Sequence, residues 1–125
     1  TTALKVFDLE VAQTGLSEEE AKAAGFDAVG GVVRYLSHAP FISGARTLTI
    51  KLVADRRNDR VLGAQMAGPE AAAKHIDVIA TALYAKMTVA DLLRLDLSFA
   101  PTLANASEGI RLAAESVRRR LLESK

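Results

Sequence analysis

Few side chains in this 125-residue sequence can move a proton or hold a charge at a defined point. There is no cysteine, which excludes disulfides, thiolate metal sites and redox dithiols from these residues. The two histidines, His38 and His75, are far apart in sequence, so a zinc site is not expected. The stretch "FAPTLANASEGIRLAA", beginning at Phe99, has the form of a built corner: an extended approach, Pro101-Thr102, a cap and an amphipathic helix. General acid-base chemistry needs a titratable group within hydrogen-bond reach of the substrate. Between Phe99 and Ser107 no side chain titrates near neutral pH, and Glu108 is accounted for as the third helical residue of a capping box that opens at Asn105.

The other charged or flexible residues read as structural. Lys74 and Asp77 have the i, i+3 spacing of a solvated pair, and His75 beside them reads as a hydrogen-bonded structural residue. Gly30, Gly31, Gly63 and Gly68 do not form a phosphate-cradling loop between a strand and a helix. Arg118, Arg119 and Arg120 stand where cations complement a helix C-terminus, with Glu115 able to pair with Arg119. They lack interleaved aromatics, and 16 basic residues nearly balance 15 acidic ones. Nucleic acid is therefore not an expected partner.

These residues need a scaffold, and the chain is long enough to form one domain over 1–125, burying roughly two-thirds of its unfolded surface. No apolar run has the length that spans a bilayer, and the first residues lack a basic-then-apolar leader, so a cytoplasmic location is expected. "LKVFDLEVAQTGL" (4–16) reads as one extended segment, followed by a short helix with Ser17 as cap, Glu20 as its partner and Gly25 as the left-handed stop. Residues 27–37 read as a strand in which Gly30 and Gly31 mark a bulge or a close backbone approach. Residues 47–57 place Leu48, Ile50 and Leu52 on one face, and they pair with residues 60–68 as a hairpin. A helix opens at Pro69 and runs to Met87, a short one follows with Thr88 and Asp91 at its start, and the last spans about Asn105 to Leu122. The fold class is α+β: a small, mainly antiparallel sheet packed with two longer and two short helices.

On a helical wheel, Ala72, Ile76, Ile79, Ala80, Leu83 and Met87 share the face expected against a sheet. Ala71, Val78, Ala82 and Ala85 form a second apolar face. Two readings stand for it: a partner molecule covers it, or the last helix of the same chain does.

The order of pieces then carries a family resemblance over essentially the whole chain. "VFDLEVAQTGLSEEEAKAAGFD", "TIKLVADRRNDRVLGAQMAGPEAAAKHIDVIATAL" and "MTVADLLRLDLSFAPTLANASEGIRLAA" resemble successive parts of the C-terminal dimerisation domain of pyridine nucleotide-disulfide oxidoreductases. The resemblance implies a single interface domain of a flavoprotein homodimer. Separate upstream domains would bind FAD and NAD(P)H and supply the redox cysteine chemistry, leaving no catalytic, cofactor-binding or metal-binding residue in this chain. Glutathione-reductase-like members carry His-Pro-Thr at the corner, where this sequence has Ala100-Pro101-Thr102, so the imidazole's proton-transfer role is absent. The coenzyme A-disulfide reductase and NADH oxidase branch is nearest in flavour, with tyrosines where this chain has Phe41 and Phe99.

The dimer interface implied by these readings comprises Ile76, Ile79, Ala80, Ala82, Leu83, Phe99, Pro101 and Thr102, with Phe41 and Phe99 as candidate walls of a pocket beside a partner's active site. The expected function is thus homodimerisation within an FAD- and NAD(P)H-dependent enzyme, the chain being no enzyme on its own. The alternatives are a small ligand-binding enzyme in its own right and a free-standing adaptor.

Overall fold

The computed structural model describes residues 1–104 and 108–123. Strands β1 (Thr2–Val6), β2 (Leu9–Gly15), β3 (Ala28–Leu36), β4 (Thr47–Asp55) and β5 (Val61–Gly68) form one sheet in the order β1-β2-β5-β4-β3. Every neighbouring pair is antiparallel. Helices α1 (Glu18–Ala23), α2 (Ala72–Tyr84), α3 (Val89–Arg94) and α4 (Gly109–Glu123) give the two short and two longer helices expected of the α+β class.

Alternation along the strands divides the sheet into two faces. Leu48, Ile50 and Leu52 of β4, with Ala64 and Met66 of β5 and Tyr35 of β3, are buried in the main core. Helix α2 covers β2 and β5, α4 covers β3 and β4, and α3 packs against α4. A smaller cluster of Ala21, Ala28 and Val53, with Leu16 and Leu62, lies under α1 on the other face. The expected alternation of residues 47–52 is therefore observed, and it places the helical layer. Among the described residues no helix is long and apolar enough to cross a membrane.

The local signals that held are those contained within a few residues. Ser17 and Glu20 form a reciprocal capping box at α1, as Thr88 and Asp91 do at α3. Gly25 has φ +91°, the left-handed stop after α1. Gly30 and Gly31 do admit close neighbours: an added Cβ would stand 2.5 Å from Glu18 Oε2 at one and 2.9 Å from the Val117 backbone nitrogen at the other.

Several boundaries differ from expectation, among them the end of the long helix, which stops at Tyr84 and not at Met87. Residues 4–16 are not one run but the hairpin β1–β2, turning at Phe7 with φ +53°. A non-glycine in the left-handed region carries no glycine signal for that turn. The long helix begins at Ala72, not Pro69, because Ala71 takes φ +71° and interrupts the helical path. Its first N–H is met from outside, by Glu10 Oε2 of β2 at 3.0 Å. The last helix begins at Gly109, and the expected cap Asn105 lies outside the described residues. Glu108 is not the third residue of that helix but its cap: Oε2 accepts the N–H groups of Ile110 at 2.7 Å and Arg111 at 3.2 Å.

Candidate functional site

The corner that follows α3, as far as Ala104, is a defined structure. Leu103 and Ala104 both donate their N–H groups to the Ala100 carbonyl, at 2.9 and 2.8 Å. Ala39 donates to the Pro101 carbonyl at 3.0 Å and ties the corner to the β3–β4 loop. That loop is closed in turn by Ser37 N–H on the Arg46 carbonyl (2.8 Å) and Arg46 N–H on Ser37 Oγ (3.0 Å), with His38 Nε2 3.1 Å from the Ser43 carbonyl oxygen. His38 is thus held as a loop brace.

Three large apolar side chains project from these tied loops into solvent: Phe41 is 81% exposed, Phe99 58% and Leu103 80%. Pro101 and Thr102 are exposed beside them. Exposed aromatic and aliphatic groups on pinned backbone form a surface that can be covered at low entropic cost. The expected α2 residues divide differently. Ile76 (1% exposed), Ile79 (0%) and Ala82 (1%) are enclosed by their own chain, so they contribute no area to a contact with another molecule. Ala80 and Leu83 are half-buried. The second apolar face of α2 is accordingly covered in part by its own chain, which closes over Ala82, whereas Ala71 and Val78 are half-buried and Ala85 stays exposed.

Behind the corner lies a cavity of about 460 Å³ between α2 and residues 97–104. Tyr35, His75, Val78, Leu97, Leu103 and Glu108 are among its walls. Phe41 and Phe99 are not among the described residues that line this cavity. Its polar centre joins two residues that local sequence patterns do not connect. His75 Nε2 lies 3.0 Å from Glu108 Oε1, while Nδ1 lies 2.9 Å from the Ala71 carbonyl oxygen. The His75 ring stands over Tyr35 with centroids 5.5 Å apart and planes tilted by 57°. Burial disfavours the charged imidazole, but the hydrogen bond its ring donates to Glu108 and the bond to the Ala71 carbonyl outweigh it and hold His75 above its ordinary value of 6.5.

The burial of Glu108 follows from its neighbour. A Cβ on Gly109 would stand 2.8 Å from both Ile50 Cδ1 and Tyr35 Cγ, so glycine lets the start of α4 approach the sheet and carries Glu108 inward. That glycine marks the close approach of α4 to the sheet, but nothing local relates Glu108 to His75. A second, more open cavity of about 530 Å³ lies between β3 and the end of α4, with Arg56, Ser116, Arg119 and Arg120 in its lining.

A dinucleotide needs glycines that open a strand-to-helix turn to phosphate. Gly15, the last residue of β2, is packed against the Leu62 carbonyl oxygen and Leu83 Cδ1. Gly68, the last residue of β5, is packed against the Thr47 carbonyl oxygen, which an added Cβ would meet at 2.9 Å. Both glycines thus serve close packing within the fold. Among the described residues no group of three or more His, Cys, Asp or Glu side chains could hold a metal ion.

Comparison with known proteins gives a consistent pattern. The profile of the family described as "Pyridine nucleotide-disulphide oxidoreductase, dimerisation domain" matches residues 1–110. The chain is 34% identical over 104 residues to an NAD(P)H sulfur oxidoreductase (CoA-dependent) of Pyrococcus abyssi, covering 83% of this chain and 23% of that protein. It is 29% identical over 117 residues to an NADH oxidase of Methanocaldococcus jannaschii, covering 94% of this chain and 26% of that protein. Among solved structures, an NAD-dependent persulfide reductase from A. fulgidus superposes with a TM-score of 0.91 at 34% identity, over 95% of this chain and 22% of that one. The chain thus spans about a quarter of the length of these curated relatives.

Proposed function

Because this chain belongs to the dimerisation-domain family of the pyridine nucleotide-disulphide oxidoreductases, we propose that it is the homodimerisation module of an FAD- and NAD(P)H-dependent disulfide oxidoreductase-like enzyme. The observation that carries this reading is the exposure of the apolar side chains Phe41, Phe99 and Leu103 on hydrogen-bonded loops. Covering such side chains stabilises a complex by roughly 25 cal/mol per Å² of apolar surface before the entropy of association is subtracted. The partner is a second copy of the chain. Phe99, Pro101 and Thr102 form the contact with the half-buried Ala80 and Leu83, while Ile76, Ile79 and Ala82 support it from the core.

In this reading the Phe41 and Phe99 rings become pocket walls only when the partner completes the pocket. The parent enzyme's upstream domains bind FAD and NAD(P)H and carry the redox centre, in the cytoplasm; this chain, having no cysteine, supplies none. Sedimentation velocity with absorbance detection tests the proposal. The expected result is a colourless dimer that Phe99→Asp converts to a folded monomer with an unchanged far-UV spectrum. A wild-type chain that stays monomeric at every concentration overturns it, and a flavin-coloured monomer would favour a ligand-binding enzyme instead.

A further inference from the structure

Both ring nitrogens of His75 face atoms that accept hydrogen bonds: the Ala71 carbonyl oxygen at 2.9 Å and Glu108 Oε1 at 3.0 Å. A neutral imidazole has one N–H and satisfies only one of them, whereas the imidazolium satisfies both. Glu108 uses its other oxygen for the N–H groups of Ile110 and Arg111, so the carboxylate accepts from both sides. The bonding therefore calls for a charged pair joining the first turn of α2 to the start of α4.

Its position gives the pair a lever. Glu108 lies four residues after Ala104, and Leu97, Ser98, Leu103 and Ala104 wall the cavity that the pair closes at one end. The corner is otherwise tied through Pro101 to Ala39. We propose that His75 and Glu108 form a charge-dependent clasp between α2 and the start of α4, so that loss of the imidazole proton loosens the cavity wall that Leu97, Ser98, Leu103 and Ala104 form beside the pair.

The surroundings leave Glu108 as the dominant influence. Helix α2 presents Lys74 and Asp77 to the same cavity, both exposed, of opposite sign and screened by solvent. Strand β3 presents Tyr35, and residues 97–107 contain no titratable side chain. The raised affinity of His75 for its proton places the switch on the alkaline side of an ordinary histidine. When the proton leaves, the Ala71 carbonyl oxygen still holds the His75 backbone N–H at 3.1 Å. The remaining ring proton then stays with Glu108, and an ion pair becomes a weaker bond between a neutral ring and a carboxylate. Because neither ring nitrogen points freely into the cavity, the pair positions the corner and does not present a proton to a ligand.

NMR titration of the His75 ring, followed together with the backbone amides of Leu97–Ala104, Ile110 and Arg111, tests the clasp. A midpoint above 6.5, shared by the ring and by corner amides, is expected. Glu108→Gln should lower that midpoint by about one unit or more, a tenfold loss of proton affinity. His75→Gln should abolish the corner's response at that midpoint. Corner amides that stay unchanged while His75 titrates overturn the proposal, as does a midpoint indifferent to Glu108→Gln. The wild-type titration decides by itself where a variant does not fold.

Discussion

Gly30 and Gly31 are adjacent but point to opposite sides of β3, and a methyl group added at each meets different material. At Gly30 it meets Glu18 Oε2 at 2.5 Å and Lys51 Cε at 2.8 Å, the far ends of two flexible side chains that can swing away. At Gly31 it meets Ser116 Oγ at 2.8 Å and, in the middle of α4, the Val117 backbone nitrogen at 2.9 Å. Gly31→Ala should therefore cost about 1–3 kcal/mol by forcing the helix off the sheet, and Gly30→Ala less than about 1 kcal/mol, as read by urea denaturation. A near-equal loss at both sites would contradict this assignment. The close approach was legible in the paired glycines because crowding near backbone leaves glycine as the residue that fits. The His75–Glu108 pair was not legible, since nothing in the spacing of residues so far apart relates them. "NASE" also satisfies the same local pattern as the genuine capping boxes, so the pattern alone does not tell a third-position Glu from a cap.

At the scale of elements, the boxes at α1 and α3 were readable because cap and acid lie within four residues and satisfy each other's backbone donors. Ser17→Ala and Thr88→Ala should each destabilise by about 1 kcal/mol. Helix α2 depends on a distant residue. Ala71 provides no side-chain cap, and the carboxylate of Glu10 substitutes for one across the sheet layer. Glu10→Ala should cost a comparable ~1 kcal/mol, with faster amide exchange concentrated in the first turn of α2. Exchange accelerated uniformly along the helix would show that Glu10 acts through general stability. No reading of residues 69–75 alone could have found this cap, and Pro69, a common first helical residue, pointed to the wrong start. The β1–β2 turn escaped for a related reason: the pairing of Val6 with Leu9 leaves Phe7 and Asp8 to make the turn, in a conformation that the residue type of Phe7 does not announce.

For the molecule as a whole, stability should have both an acid and an alkaline shoulder. His75 has a raised folded-state value, so its contribution is complete below the ordinary 6.5 and is lost as pH rises through the higher value. Glu18 is lowered, first by its bond to Lys22 and also by Lys51, and Asp91 by the backbone and side chain of Thr88. Their contributions are present above the ordinary carboxylate values of 4.5 and 3.8 and fade as pH falls through the lower ones. Urea midpoints measured against pH should fall at both ends, and His75→Gln should flatten the alkaline limb while leaving the acid limb in place. An alkaline limb that survives the substitution would assign it to other groups. The Glu10 contact with Ala72 also carries a kinetic consequence, since it joins positions 62 apart in the chain. Loop closure must precede the capping of α2, which makes this helix a late arrival during refolding even though its own turns are local. In a pulse-labelling experiment its first amides should become protected only after β2 has zipped onto β5.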